Sequence, residues 1–126
     1  MMNQRALNLS NHPSDRWGDA QSAAAKELFG KVDDVQFPAV PEGASTKEVI
    51  DMAKQALHNI ITLGYKQVHI TGEPCFVMAF VAAAQKRGVK CWHSTSKRVS
   101  EEKDGKKIST FIFEQFRAYP ELRELI

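Results

Sequence analysis

Residues 45–71 read STKEVIDMAKQALHNIITLGYKQVHIT, and this stretch decides the fold class. Ser45 and Glu48 stand three apart, the spacing of a capping box in which each side chain bonds the other's backbone N–H. Val49, Ile50, Ala53, Leu57, Ile60 and Ile61 then recur at the spacing that gathers one apolar stripe on a helix, and Gly64 ends it. From Lys66 the pattern changes to KQVHIT (66–71), a short strand. A helix handed directly to a strand is part of a parallel β-α-β unit, so the flanking segments are expected to repeat the alternation.

They do so on both sides. QRALNLS (4–10) carries Ala6, Leu7 and Leu9 into the turn-like SNHPS (10–14) and reads as a buried first strand. SDRWGDAQSAAAKELFG (14–30) offers Ser14 or Asp15 as N-cap, Trp17, Ala20, Ala24 and Leu28 at helical spacing, and Gly30 as a stop. KVDDVQF (31–37) is a second strand with acids at its middle, closed by the prolines of PAVPEG (38–43). GEPCFVMAFVAAAQKRG (72–88) is a third helix with Pro74 in its first turn and a body so apolar that deep cover is expected. VKCWHST (89–95) is a fourth strand, RVSEE (98–102) and KISTFIFEQF (107–116) form a hairpin around Asp104-Gly105, and YPELRELI (119–126) closes as a short helical tail. The order β-α-β-α-β-α-β-β-β predicts a single α/β domain over residues 1–126. Its expected form is a three-layer Rossmann-like domain with a mainly parallel sheet and a C-terminal antiparallel β-hairpin.

Composition limits what such a domain does. The chain has 126 residues, 43% hydrophobic and 25% charged, enough for one core. Seventeen basic against fifteen acidic residues leave a formal charge of +2, too little for a surface that coats DNA, so any anion site must be local. No leader pattern opens the chain, and the longest apolar run, Cys75 to Ala84, is half a membrane span; a cytoplasmic protein without membrane contact is expected. Cys75 and Cys91 have neither CxxC spacing nor a second ligand pair, which suggests reduced thiols rather than a metal site or a disulfide framework. Phosphate-binding GxxxxGK[ST], dinucleotide-binding GxGxxG and HExxH motifs are absent from the sequence, and no cofactor or metal is implied.

In parallel sheets ligands sit outside the carboxyl ends of the strands, where strand order reverses. The loops to inspect are therefore SNHPS, FPAVPEG, TGEPC and STSKR (94–98). In STSKR, Ser94, Thr95 and Ser96 supply hydroxyls while Lys97 and Arg98 supply charge, a set suited to phosphate; a solvated turn is the alternative. Ser10, Asn11 and His12 precede a helix whose free amides attract anions, and His12 is the histidine best placed to move a proton; turn and cap duty would explain the same residues. Gly72 permits close backbone approach, and Glu73 serves either as a cap or as a ligand to a ribose hydroxyl. Cys75 at a helix start, with His12 or His93 as base, would make a thiol hydrolase, against a buried structural thiol. His58 is expected on the surface, and His69 and His93 within strands as hydrogen-bonded core or rim residues.

At LNLSNHP (7–13), STSKR and FEQFRAYPEL (113–122) the chain resembles the small stand-alone proteins of type III CRISPR systems built on a CRISPR-associated Rossmann-like (CARF) domain. The resemblance covers most of the chain and lies in the order and spacing of short motifs. It implies a homodimer that binds a cyclic oligoadenylate, cyclic tetra-adenylate first, and in ring-nuclease members cleaves it without metal to linear products ending in a 2′,3′-cyclic phosphate. On that reading His12 is acid or base, Lys97 and Arg98 stabilise developing charge, and Ser10, Asn11, Gly72, Glu73, Ser94, Thr95, Ser96 and Arg117 hold phosphate or ribose. Many relatives carry an effector domain after this one; a chain that stops at Ile126 is expected to lack it, which on the resemblance favours degrading or sequestering the messenger. A binder that only sequesters the same ligand and a flavodoxin-type mononucleotide module are the alternatives.

Overall fold

The computed structural model describes residues 5–126. In chain order it contains β1 (Arg5–Ser10), a 3-10 turn (Ser14–Arg16), α1 (Asp19–Phe29), β2 (Lys31–Gln36) and α2 (Thr46–Thr62). There follow β3 (Gln67–Ile70), α3 (Pro74–Lys86), β4 (Lys90–Lys103), β5 (Lys106–Ala118) and a last 3-10 turn (Leu122–Glu124). The capping box forms: Ser45 Oγ accepts from the Glu48 amide and Glu48 Oε1 accepts from the Ser45 amide, both at 3.1 Å. Val49, Ala53, Leu57 and Ile60 are the buried face of α2.

The strand order is β2-β1-β3-β4-β5, with β1, β2, β3 and β4 mutually parallel and β5 antiparallel to β4. This is an α/β Rossmann-like sheet with a C-terminal hairpin. From β1 the chain steps outward to β2, then crosses back past β1 to β3 and on to β4. Because parallel crossovers are right-handed, that reversal of direction puts α1 on one face and α2 with α3 on the other. Leu7, Leu9, Val68, Ile70 and Cys91 point to the α2/α3 face and join its large apolar core. Alternation along the same strands sends Ala6 to the α1 face, whose buried cluster is only Ala6, Ala25, Phe29 and Phe116. One helix covers that side, so aromatic rings supply the remaining volume: Phe29 meets Phe116 at 5.2 Å and Trp92 at 5.6 Å, edge to face.

Three expectations change. First, six strands become five: the expected fourth strand and the first hairpin arm are one continuous β4, paired with β5 from Trp92↔Ala118 to Lys103↔Lys106. STSKR is therefore inside a strand. Beyond the rim both faces of this ribbon meet water, so a strand there needs no apolar alternation, and a polar run reads like a loop. The turn at Asp104-Gly105 is as expected, with φ of 55° and 74°. Second, α1 begins at Asp19 after Gly18 rather than at Ser14. Asp34 accepts from the Ser14 amide at 2.8 Å and hydroxyl at 2.7 Å, fixing a separate turn ahead of the helix. Third, α3 buries Phe76, Phe80, Val81 and Ala84 but leaves Met78 74% exposed, so its apolar body is covered on one side only.

The acids within β2 have local partners. The Tyr65 hydroxyl donates to Asp33 at 2.6 Å and Arg5 forms an ion pair with it, and these hold the carboxyl below its ordinary range. No described helix is long and apolar enough to cross a membrane.

Candidate functional site at the strand ends

Strand order reverses between β1 and β3, and a polar cavity of about 240 Å³ opens at their carboxyl ends on the α1 face. Ser10, His12, Arg16, His69, Thr71 and Ser94 line it, with Trp17, the α1 N-cap Gly18 and Gln21 completing the wall. Gly18 has no side chain with which to cap, so the first amides of α1 are left for another partner. Larger hollows of about 610 and 470 Å³ flank α3. They lack this convergence of hydroxyl, imidazole and guanidinium groups, which makes the smaller cavity the better candidate for chemistry.

Behind the cavity wall, and joined to it through Ser10, His12 and His69, lies a buried polar network centred on Asn8, which is 1% exposed. Asn8 Nδ2 donates to the His12 carbonyl and to Asp34 Oδ1, both at 2.9 Å. Asn8 Oδ1 accepts from Ser10 Oγ at 2.9 Å and lies 2.9 Å from His69 Nδ1. An amide oxygen only accepts, so His69 carries its proton on Nδ1 and presents Nε2 as a bare lone pair. Burial, with a smaller contribution from His93, lowers the His69 pKa to about 4, so the ring is neutral near pH 7. Its Nε2 has no hydrogen-bond partner among the described residues. Burial works to raise the pKa of Asp34, but hydrogen bonds from Asn8 and Ser14 outweigh it and hold the carboxyl below its usual range. The register makes this network: Asn8 pairs with Asp34 on one side and His69 on the other, three polar residues on one face of adjacent strands.

Trp17 ties the wall together. Its Nε1 donates to the His12 carbonyl at 3.2 Å, and its ring meets His69 edge-on at 5.4 Å. The His12 imidazole makes no hydrogen bond among the described residues and stands at the cavity mouth.

Of the residues singled out from sequence, Ser10, His12 and Ser94 meet in this cavity. Asn11 is exposed beside them without lining it. Thr95 Oγ1 donates to the Gln115 carbonyl at 3.3 Å. Ser96, Lys97 and Arg98 are exposed along the ribbon. Arg98 lies four residues past Ser94, ~13 Å along an extended strand. Its guanidinium donates to Ser109 Oγ at 3.0 Å. Lys97 and Arg98 are thus corrected from rim to ribbon, because β4 runs on where a turn was expected. Arg117 is exposed on β5 opposite His93. Burial, and then the Arg117 charge, lower the pKa of His93.

Gly72 and Glu73 do not line the cavity. A Cβ at Gly72 would strike the Phe37 ring, so this glycine answers to packing. The Glu73 carboxylate caps α3, accepting from the amides of Cys75 at 2.8 Å and Phe76 at 3.3 Å. Cys75 lines the α2/α3 groove, and neither His12 nor His93, the bases expected for it, is among that groove's lining residues. Cys91 is buried, and burial raises its pKa to about 12.

Sequence reading missed Arg16, Trp17, Gly18, Gln21 and Thr71 as site residues, and did not see that His69 faces Asn8. The available signal was the pair itself, one polar residue inside each of two otherwise apolar parallel strands. A family model described as Uncharacterized protein MJ1673 family matches residues 4–117, and the chain belongs to that family. No curated protein and no solved structure matches it.

Proposed function

We propose that this member of the MJ1673 family binds a cyclic oligoadenylate through the rim cavity and cleaves it without metal. The observation that carries the reading is the gathering of Ser10, His12, Arg16, Thr71 and Ser94 at the β1/β3 crevice beside an uncapped helix start. Hydroxyls, a guanidinium and free amides are the donors a phosphodiester requires, and the helix dipole adds positive potential at the same place. The site's size supports a shared ligand. About 240 Å³ is below the ~300–1,000 Å³ of a cleft that encloses a small molecule, so one copy grips one phosphorylated ribose. A cyclic tetranucleotide repeats that unit with rotational symmetry, and two copies about a two-fold axis meet it twice.

In the proposed reaction the ribose 2′-oxygen attacks the adjacent phosphorus and the P–O5′ bond breaks. A proton leaves the 2′-oxygen and another reaches the 5′-oxygen, giving a linear product with a 2′,3′-cyclic phosphate. Arg16, in the cavity wall, stabilises the developing charge, and His12 delivers the proton to the leaving oxygen. The test is incubation with cyclic tetra-adenylate in EDTA, with the products resolved. Linear product lost in Arg16→Ala and His12→Ala is expected. Tight binding with unchanged ligand at enzyme excess would leave sequestration and remove catalysis; no binding removes the messenger.

A second reading draws on one observation, the strand order β2-β1-β3-β4-β5, which flavodoxin-like sheets share. A mononucleotide such as FMN would then occupy the same crevice. Yellow purified protein, or FMN displacing cyclic tetra-adenylate, would favour it.

A further inference from the structure

We propose that His69 Nε2 accepts a hydrogen bond from the 2-hydroxyl of a phosphorylated ribose seated in the rim cavity, the phosphate lying toward Arg16 and the start of α1. This rests on the reading above only in taking a ribose phosphate as guest; cyclic form and cleavage are not needed for it.

His69 is 3% exposed, yet it forms part of the cavity wall. One ring nitrogen is committed, since Nδ1–H donates to Asn8 Oδ1 at 2.9 Å. Asn8 cannot turn to release it, because its amide nitrogen is held by the His12 carbonyl and by Asp34. Trp17 and Phe116 meet the ring edge-on, each 5.4 Å away, and fix its plane. What remains is Nε2, buried and without a partner among the described residues. A buried acceptor left unpaired is costly, and a native structure that keeps one beside a polar cavity has a use for it.

The chemistry of that atom selects its guest. A bare imidazole nitrogen accepts and cannot donate, so an ionised phosphate oxygen is refused there and a hydroxyl is welcome. Anion-binding groups lie elsewhere on the same wall, at Arg16 and at the uncapped amides after Gly18. The cavity thus carries anion-binding groups and, behind its surface, a hydroxyl acceptor closed to solvent until a guest displaces the side chain over it; a ribose phosphate has a group for each. The network also keeps the nitrogen an acceptor, since Asn8 fixes the tautomer and burial keeps the ring neutral near pH 7. If the proposed cleavage occurs, the same nitrogen takes the 2′-hydroxyl proton as O2′–P forms, while P–O5′ breaks and the 5′-oxygen takes its proton from His12.

The experiment is long-range proton–nitrogen NMR on the full chain labelled at histidine nitrogens, titrated with ribose 5-phosphate, 2-deoxyribose 5-phosphate and inorganic phosphate. Ribose 5-phosphate is expected to move the His69 Nε2 resonance. The deoxy sugar should bind about tenfold more weakly and, like inorganic phosphate, leave that resonance in place. His69→Asn keeps the donor to Asn8 and should erase the discrimination; His69→Gln, which returns an acceptor near the Nε2 position, should restore part of it. Equal binding of both sugars, no binding of either, an unmoved Nε2, or discrimination that survives in His69→Asn would each overturn the proposal. Cyclic tetra-adenylate in the same series separates the two readings. Ribose discrimination without messenger binding keeps His69 and removes the messenger, whereas cleavage by His69→Asn at the wild-type rate does the reverse.

Discussion

The two faces of the sheet differ in what they bury. Against α2 and α3 lies a continuous apolar core running from Leu7 and Leu9 through Phe76 and Phe80 to Ala84 and Cys91. Against α1 lies a four-residue apolar cluster, and the positions next to it hold Asn8, Ser10 and His69, the buried polar residues among those described. The same strands supply both faces, so the contrast arises from alternation alone. Stability is concentrated on the side that two helices cover. The side with one helix has room at its rim for buried hydrogen-bonding groups, and those groups set the chemistry of the cavity.

The largest effect should come from the apolar side. Phe76→Ala removes a fully buried ring and should cost about 3–5 kcal/mol in urea unfolding. If the variant loses less than 1.5 kcal/mol, the two faces contribute far more equally than the burial implies.

The polar side should show itself through pH. His69 has a pKa lowered to about 4 in the folded chain, against about 6.5 when unfolded. The unfolded chain therefore binds the extra proton first as pH falls. The associated stability is fully present above about pH 6.5 and is lost progressively toward pH 4, roughly 3 kcal/mol in all. The neighbours that shape this are His93, whose charge also disfavours protonation, and Asn8, Trp17 and Phe116 around the ring. Urea midpoints of the wild type and His69→Asn at pH 7.5 and 4.5 measure it; an equal acid loss in both would assign the effect to other groups.

Gly72→Ala sharpens the boundary between the two faces. The new methyl meets the Phe37 ring, which itself stacks edge-on against Phe76 at 4.9 Å, so about 1–3 kcal/mol should be lost while the rim cavity keeps its lining. Ligand binding lost in a folded Gly72→Ala would show that the glycine serves the site directly. Smallest of all, Arg98→Ala on the ribbon should change stability by less than about 0.5 kcal/mol. It should also reduce product formation far less than Arg16→Ala. The opposite ranking would return the phosphate site to the ribbon.

The sequence carried the architecture wherever one local rule decided it. The Ser45–Glu48 capping box fixes the start of α2, and Asp104-Gly105 supplies the positive φ angles that a two-residue hairpin turn needs. It misled where a partner distant in sequence decided. The STSKR segment joined β4 because Phe111 to Phe116 pair with it, and Ser14 left the helix because Asp34 holds it. Ser10 and His12 were legible as rim residues because they stand where the first strand ends. The Asn8–His69 pair was hidden because its meaning depends on parallel register across sixty residues of chain. Arg16 was not singled out, because it falls in a stretch expected to be helical from Ser14 and instead belongs to a separate turn at the rim.

The outer margin of β5 carries one more consequence. This thirteen-residue strand ends the sheet, so among the described residues one side of its backbone lacks a neighbouring strand. Within it, Ile108 to Phe113 is an uncharged window of high β-propensity without proline, the kind of segment that recruits further chains into fibrillar stacks. Lys106 and Lys107 before it and Glu114 after it act as gatekeepers, and the irregularity opposite Thr95 and Ser96 disturbs the flat template that stacking requires. Neutralising those flanking charges is expected to turn this margin into a template for self-association.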